Sequence, residues 1–305
     1  MRALLVVNPQ ATSTTAAGQD QLAHALGNEL TLDVLQTRCR GHAARAVATA
    51  VRTGVELVVV HGGDGTVNEV VNGMLGAGVS EVPALAVLPG GSANVFARAM
   101  GIPRDPLAAT SVVLRALEAR RTRSVGLGRA DDRWFTFNAG LGWDADVVAS
   151  VERARARGHR AGPVRYAATA LRHYLRQCRH PTALTVTLPG RDEILGVRLA
   201  LVCNTDPWTY LGSRPVRTNP GCGGTDGLAL FALRSLGLGT VLPVMREILR
   251  GAGNRNAPNV LRGDELPLIR VTSPTPVAFQ LDGDYLGERS EMEFIAVPSA
   301  LRVVV

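Results

Sequence analysis

The 305-residue chain contains no lysine: all 33 of its basic residues are arginine. That excludes every mechanism needing an ε-ammonium group, including Schiff-base chemistry and the phosphate-binding lysine of a Walker loop. Aromatic residues make up only 4%, too few to interleave with basic side chains along a single-stranded nucleic acid. The net charge of +7 therefore points to phosphate or acidic lipid as the anionic partner, and nucleic acid is not expected. The four cysteines, Cys39, Cys178, Cys203 and Cys222, form no Cys-x-x-Cys pair, which argues against a zinc site or a disulfide framework and fits reduced cytosol. The six histidines make no ligand pair, and His61 reads as a strand-end residue and not as a base. No apolar run spans a bilayer, since the stretch Leu228 to Met245 is broken by Arg234, Gly237, Gly239 and Pro243. The opening run Ala3 to Val7 ends at the turn signal Asn8-Pro9 and reads as a buried strand, not a signal peptide.

What is present is enough apolar sequence, 46%, for one large or two ordinary domains. Up to about residue 124, short Val/Leu runs alternate with Ala-rich helical segments. The runs are Ala3 to Val7, Leu30 to Gln36, Glu56 to Val60 and Ala84 to Leu88, and the helices lie near Ala16 to Leu26 and His42 to Thr53. Such alternation predicts βαβ units around a parallel sheet. Beyond it, strand-like runs separated by Gly or Pro turns dominate: Trp134 to Asn138, Thr182 to Leu188, Gly196 to Cys203, Gly227 to Leu233, Leu268 to Thr272, Val277 to Leu281 and Leu301 to Val305. The expectation is an α/β domain over 1–124 and a mainly antiparallel β-sandwich over 125–305, with a helical excursion at 153–179.

The sharpest motif is Leu57 to Val60 followed by His61-Gly62-Gly63-Asp64-Gly65-Thr66, with Val67, Val70, Val71, Met74 and Leu75 at helical spacing. Glycines after a buried strand let backbone approach a ligand, and the N–H groups opening the helix attract phosphate. Asp64 is then a carboxylate among anions, which calls for Mg²⁺ or a proton-transfer role. Thr66 and Glu69 also match a capping box that would only close the helix end. The pattern recurs at Ala84 to Leu88, Pro89-Gly90-Gly91-Ser92-Ala93-Asn94 and a short helix Val95 to Met100, with Ser92 and Asn94 equally readable as ordinary N-caps. Two such turns side by side would lie at the carboxyl edge of the sheet, where open α/β sheets hold ligands. Near the C-terminus, Asp282-Gly283-Asp284 reads either as a bare β-turn or as a carboxylate able to take a proton.

With these residues in order, the sequence resembles the diacylglycerol kinase catalytic-domain family, which includes bacterial soluble lipid kinases and sphingosine kinases. The anchors are Asn8-Pro9, Gly62 to Thr66 with Asn68-Glu69 and Asn72-Gly73, Pro89 to Asn94 with Phe96-Ala97-Arg98, Asn138 to Gly142, and Leu281 to Asp284. They cover nearly the whole chain. Gly-Gly-Asp-Gly alone is shared with NAD kinases and phosphofructokinases, so an NAD kinase-like enzyme is the alternative, and the block Pro89 to Arg98 argues against it. The resemblance implies a nucleotide site for ATP at Asn8, Thr37, Gly62, Gly63, Asp64, Gly65, Thr66, Asn68, Glu69, Gly91, Ser92 and Asn94. It implies a structural Mg²⁺ held by the Asp226 side chain and the Gly223 and Leu228 carbonyls, and a general base at Asp284, with Asp64 the second catalytic candidate.

The chain also departs from the family pattern. Asp284 stands where the family usually has Glu, shortening the reach by about 1.5 Å. Asn8-Pro9-Gln10-Ala11-Thr12 lacks the glycine of Asn-Pro-x-Ser-Gly, and Val95 occupies a common Asp position. A catalytically degenerate nucleotide- or lipid-binding regulator is the non-enzyme alternative that these departures motivate. From Arg153 to Arg179 there are eight arginines and no acid. Val164, Ala167, Ala168, Leu171, Leu175 and Cys178 make an apolar stripe beside Arg165, Arg172, Arg176 and Arg179, which suits either an anionic membrane surface or a helix packed on the sandwich. The expectation is a cytoplasmic, peripherally membrane-associated enzyme acting on a lipid, with the oligomeric state, a homodimer included, left open.

Overall fold

The computed structural model describes residues 1–12, 14–156, 168–175, 183–222, 227–251 and 257–305. The chain divides into two compact units, Met1–Leu127 with Pro298–Val305, and Gly128–Val297.

The first unit alternates strand and helix: β1 (Arg2–Val7), α1 (Ala16–Gly27), β2 (Thr31–Gln36), α2 (His42–Arg52), β3 (Leu57–Gly62), α3 (Asp64–Leu75), β4 (Ala84–Pro89), α4 (Val95–Ala99), α5 (Pro106–Glu118) and most of β5 (Thr122–Ala130). Continuous apolar runs such as Leu57-Val58-Val59-Val60 suit strands buried on both faces, and every residue of β3 is buried. β1 pairs in parallel with β2 and β3, and β3 in parallel with β4. The terminal residues join this sheet: Val303 pairs in parallel with Leu85. The sequence puts that stretch at the end of the second domain but leaves open whether it stays there, because a lone apolar strand carries no mark of which sheet it enters. Crossover by helices puts the ends of β1, β3 and β4 at one carboxyl edge.

The second unit is antiparallel and strand-rich. Its strands are β6 (Arg133–Phe135), β7 (Asn138–Leu141), β8 (Leu184–Thr187), β9 (Ile194–Val197), β10 (Leu199–Cys203), β11 (Thr209–Leu211), β12 (Arg214–Val216), β13 (Leu228–Leu233), β14 (Val260–Leu266), β15 (Leu268–Leu281) and most of β16 (Asp284–Val304). The main path runs β14, β13, β10, β7, β15, β16, each step antiparallel. Alternation along β10 and β13 sends Ala200, Val202, Leu228 and Leu230 into one core with Phe135, Phe279 and Phe294. Their neighbours Leu199, Leu201, Phe231 and Leu233 enter a second core on the other face, under Val244 and Ile248 of the helix Leu238–Arg250.

Several elements differ from expectation. Trp134 to Asn138 breaks into β6 and β7, and Gly196 to Cys203 into β9 and β10. The two runs Leu268 to Thr272 and Val277 to Leu281 are one strand whose register shifts where Ser273-Pro274-Thr275-Pro276 intervenes, since proline cannot donate to the ladder. The helices α6 (Trp143–Ala156) and Leu238–Arg250 were not expected; the second carries Pro243 within its length, which hid its periodicity. Of the expected 153–179 excursion, 153–156 end α6 and 168–175 is helical. Val164, Arg165, Ala167, Arg176, Cys178 and Arg179 lie outside the described residues.

Candidate nucleotide and acceptor sites

The first unit brings two glycine bends backbone to backbone. Gly62 pairs with Pro89 at the ends of β3 and β4, and Gly90 N–H donates to the Gly62 carbonyl at 2.8 Å. A Cβ on Gly91 would stand 2.6 Å from Gly63 Cα, and one on Gly90 3.1 Å from Gly62 Cα. A Cβ on Gly62 would fall 2.8 Å from the Thr66 side chain. None of these four glycines has positive φ, so it is space that requires them. A Cβ on Gly65, by contrast, would meet nothing within 4 Å.

The helix after the first bend starts at Asp64, with Gly63 as its N-cap. The capping-box reading of Thr66 and Glu69 therefore fails: Thr66 is three residues past the cap, and both side chains reach elsewhere. Thr66 Oγ1 accepts from Asn8 Nδ2 at 3.0 Å, and Glu69 Oε1 accepts from Gly41 N–H at 2.7 Å. Asn8 Oδ1 also takes the Gln10 amide at 3.0 Å, so Asn8 ties the loop after β1 to α3. Thr37 N–H donates to the Val7 carbonyl at 2.8 Å, placing Thr37 beside Asn8 at the same sheet edge. Thr12 Oγ1 and Ser92 Oγ are 3.2 Å apart, so the two loops meet over the bends.

Asn94 sits at the N-cap position of α4 with φ +49° but makes no cap bond. Its side chain instead closes a ring with Gly91, accepting from the Gly91 amide at 2.9 Å and donating to the Gly91 carbonyl at 2.7 Å. The α4 amide at Phe96 goes to Asp64 Oδ1 at 3.3 Å, so half-buried Asp64 joins the two helix starts. Buried Asn68 sits one turn on, its carbonyl and Oδ1 both accepting from Asn72 Nδ2. The first unit thus gathers every expected nucleotide residue at one edge. His61, which the sequence suggested only as a strand-end residue, is buried there; its Nδ1 lies 3.1 Å from the Leu88 carbonyl and its Nε2 3.0 Å from Thr14 Oγ1. Nδ1–H donating to Leu88 leaves Nε2 to accept from Thr14, and burial holds the ring's pKa below its ordinary value.

In the second unit Asp282-Gly283 is the two-residue turn between β15 and β16, with Leu281 facing Asp284 and φ +49° and +80° at its centre. That is the Asp-Gly pattern of a type I′ hairpin. Asp282 is an anchor: its carboxylate accepts from Thr136 N (2.6 Å), Thr136 Oγ1 (2.8 Å), Phe137 N (2.9 Å) and Asn138 N (3.0 Å). Burial still pushes its pKa upward against those four donors. Half-buried Asp284 opens β16 immediately after the turn.

Gln280 was missed from sequence, although it is the lone polar residue in the apolar run Val277 to Leu281. Its Oε1 accepts from the Gly283 amide at 2.8 Å, while its Nε2 donates to Asn138 Oδ1 at 2.9 Å and Asp144 Oδ2 at 2.8 Å. Asp144, also missed, keeps some surface in solvent, but its carboxyl lies close enough to Gly140 that a Cβ there would be 2.6 Å away. Desolvation pushes its pKa up to about 6, the Gln280 bond opposing. Cys203 is buried with a thiol pushed up to about 12, and burial likewise raises Cys222, so neither is a nucleophile.

Of the expected metal ligands, Gly223 and Asp226 lie outside the described residues, and Leu228 is the buried first residue of β13. Among the described residues no group of three His, Cys, Asp or Glu is placed to hold a metal.

Residues 2–130 match the family model described as the diacylglycerol kinase catalytic domain. A diacylglycerol kinase of Bacillus subtilis is 40% identical over 107 residues, 35% of this chain and 33% of that protein. A probable lipid kinase YegS-like of Chromohalobacter salexigens is 37% identical over 36% of this chain and 34% of its own length. The match thus spans about a third of each of these two relatives. A probable lipid kinase YegS-like of Enterobacter sp. is 27% identical over 98% of this chain and 94% of its own length. In fold, the chain superposes on a putative diacylglycerol kinase from Bacillus anthracis with a TM-score of 0.77 at 21% identity, covering 99% of this chain and 96% of that one.

Proposed function

We propose that the chain, whose residues 2–130 match the diacylglycerol kinase catalytic domain, is a lipid kinase that transfers the γ-phosphoryl group of ATP to a lipid hydroxyl, that of diacylglycerol or a sphingoid-like alcohol. The observation that carries this reading is the pair of adjacent glycine bends at the ends of β3 and β4, where a Cβ on Gly91 would stand 2.6 Å from Gly63 Cα and those on Gly63 and Gly90 would press on facing backbone at 3.2 and 3.1 Å. The positive end of α3, opening onto the space those bends clear, suits a triphosphate without help from lysine.

In this reading Asn8, Thr37, the segment Gly62 to Glu69, and Gly91 to Asn94 shape the nucleotide site. Asp64 would hold the Mg²⁺ carried by ATP through a carboxylate oxygen, and that ion would neutralise phosphate charge. The set proposed for a second, structural Mg²⁺, a carboxylate of Asp226 and carbonyls of Gly223 and Leu228, is likewise all hard oxygen and fits that ion in kind. Asp284 takes the acceptor's hydroxyl proton as its oxygen forms the new bond to the γ-phosphorus and the bond to the β-phosphate oxygen breaks, releasing ADP. Asp282 and Gln280 hold the turn that carries it.

No helix among the described residues is long and apolar enough to cross a membrane. A cytoplasmic enzyme that visits the membrane surface is part of the proposal. To test it, the purified chain is given γ-labelled ATP and Mg²⁺ with either diacylglycerol or NAD. Label is expected in the lipid, falling by about 10²–10⁴ in Asp284→Asn while the melting temperature holds. Label appearing only in a water-soluble dinucleotide overturns the proposal, and full activity of Asp284→Asn overturns the role given to that residue.

A further inference from the structure

In the second unit the helix Leu238–Arg250 buries Val244 and Ile248 against the sheet but turns a second apolar stripe outward. Leu238 is 62% exposed, Leu242 62% and Met245 49%, at the i, i+4, i+7 spacing of a single helix face. The helical stretch 168–175 does the same. Its Tyr174 hydroxyl donates to the Leu236 carbonyl at 2.7 Å, and the Trp143 indole N–H donates to the Ala170 carbonyl at 3.1 Å. His173 Nε2 is 2.8 Å from Ser150 Oγ. These polar and aromatic residues face the protein, which turns Leu171 (58%) and Leu175 (49%) to solvent. Of the apolar stripe that the sequence assigns either to a membrane surface or to the sandwich, Ala168, Leu171 and Leu175 are thus exposed.

The Tyr174 bond ends two residues before Leu238, so the end of one exposed stripe is tied next to the start of the other. Five of the ten large apolar side chains exposed among the described residues lie on these two segments. Clustering of that degree is what marks an interaction surface, since scattered exposed leucines carry no meaning.

The charge beside the stripe is of one sign. Arg172, Arg246 and Arg250 are exposed on the same two segments. The one acid there, Glu247, is largely covered and lies 3.4 Å from Arg262. Apolar side chains flanked only by arginine match the boundary between acyl chains and anionic headgroups. We infer that the outward faces of Leu238–Arg250 and 168–175 form a docking surface for an anionic lipid bilayer, with Leu171, Leu175, Leu238, Leu242 and Met245 entering the leaflet. The inference builds on the lipid-kinase reading, because an enzyme whose acceptor is a lipid must meet it at a bilayer. Its evidence, the exposed stripe and its charge, is separate from the nucleotide site.

The test is co-sedimentation of the full chain with vesicles of equimolar phosphatidylglycerol and phosphatidylcholine, against phosphatidylcholine alone. Wild type is expected to partition onto the anionic vesicles, less so as salt rises. The triple variant Leu238→Ser, Leu242→Ser, Met245→Ser is expected to partition at least about tenfold less with an unchanged melting temperature. Arg246→Gln with Arg250→Gln is expected to weaken binding to anionic vesicles only. Equal partitioning of wild type and triple variant overturns the inference. So does a wild-type dimer that the triple variant dissociates with no change in vesicle binding, which would make a second copy the occupant. Phosphorylation of a short-chain, water-soluble diacylglycerol separates the two proposals. The triple variant is expected to match wild type there, whereas no turnover by wild type would remove the kinase reading and leave the vesicle result to stand alone.

Discussion

In the first unit the bend at Gly62–Gly63 keeps its shape through what is missing, since a single methyl on Gly91 would stand 2.6 Å from Gly63 Cα. In the second unit the turn at Asp282–Gly283 keeps its shape through what is present, a buried carboxylate accepting four hydrogen bonds from Thr136, Phe137 and Asn138. Backbone packed on backbone clears side chains from the space before the start of α3, with the Gly90 and Gly91 amides spent on the Gly62 carbonyl and Asn94; a turn tied by side chains can only carry a reactive group beside it. The first arrangement suits gripping a phosphate and the second suits aiming Asp284.

Substitutions that cross the two designs sharpen the contrast. Asp282→Asn keeps the size of the anchor but turns one of its acceptors into a donor facing N–H groups. It is expected to lower unfolding free energy by about 2–3 kcal/mol in chemical denaturation, and a loss under half of that would mean the turn does not depend on the carboxylate. Gly91→Ala adds only a methyl, yet overpacking against rigid backbone is expected to cost about 1–3 kcal/mol and to abolish the rise in melting temperature that saturating Mg·ATP gives wild type.

A smaller effect is expected at Asp144, whose folded pKa of about 6 lies above its ordinary 3.8. Folding therefore favours the protonated form. Its contribution to stability is complete below the unfolded value and is lost as pH rises through about 6. Asp144→Asn retains an acceptor for Gln280 and removes the titration. Relative to wild type it is expected to gain on the order of 1–2 kcal/mol between pH 4 and pH 7, discounted for the residue's remaining exposure, as read from melting curves across that range. An unchanged difference across the range would show that Asp144 titrates normally. The smallest effect is expected at Gly65, where a Cβ meets open space inside α3. Gly65→Ala should shift stability by at most about 1 kcal/mol, in the stabilising direction, from helix propensity, and a large destabilisation would show that the contrast between its glycine and Gly91 is wrong.

The same contrast explains what could be read from the chain. The strands β1, β3 and β4 and the glycine bends were legible because a run such as Leu57 to Val60 followed by Gly-Gly is local, and because glycine announces where backbone needs room. The anchor role of Asp282 was not legible: Thr136 is 146 positions away, and a bare Asp-Gly-Asp looks the same whether or not a distant loop closes over it. Gln280 and Asp144 stayed hidden for the same reason. The capping pattern at Thr66 and Glu69 is a local signal, and it lost here to longer-range bonds donated by Asn8 and Gly41. The terminal strand was readable as a strand, but its sheet was decided by pairing with Leu85, which no nearby residue announces.

The most direct measurement is calorimetric titration of Mg·ATP into wild type and into Gly91→Ala, the variant first shown to be folded by circular dichroism at the titration temperature. The account predicts saturable binding to wild type and affinity at least about tenfold weaker in the variant, because the added methyl displaces the backbone at the start of α3. Equal affinity in the two proteins, or no association of Mg·ATP with wild type, would contradict it.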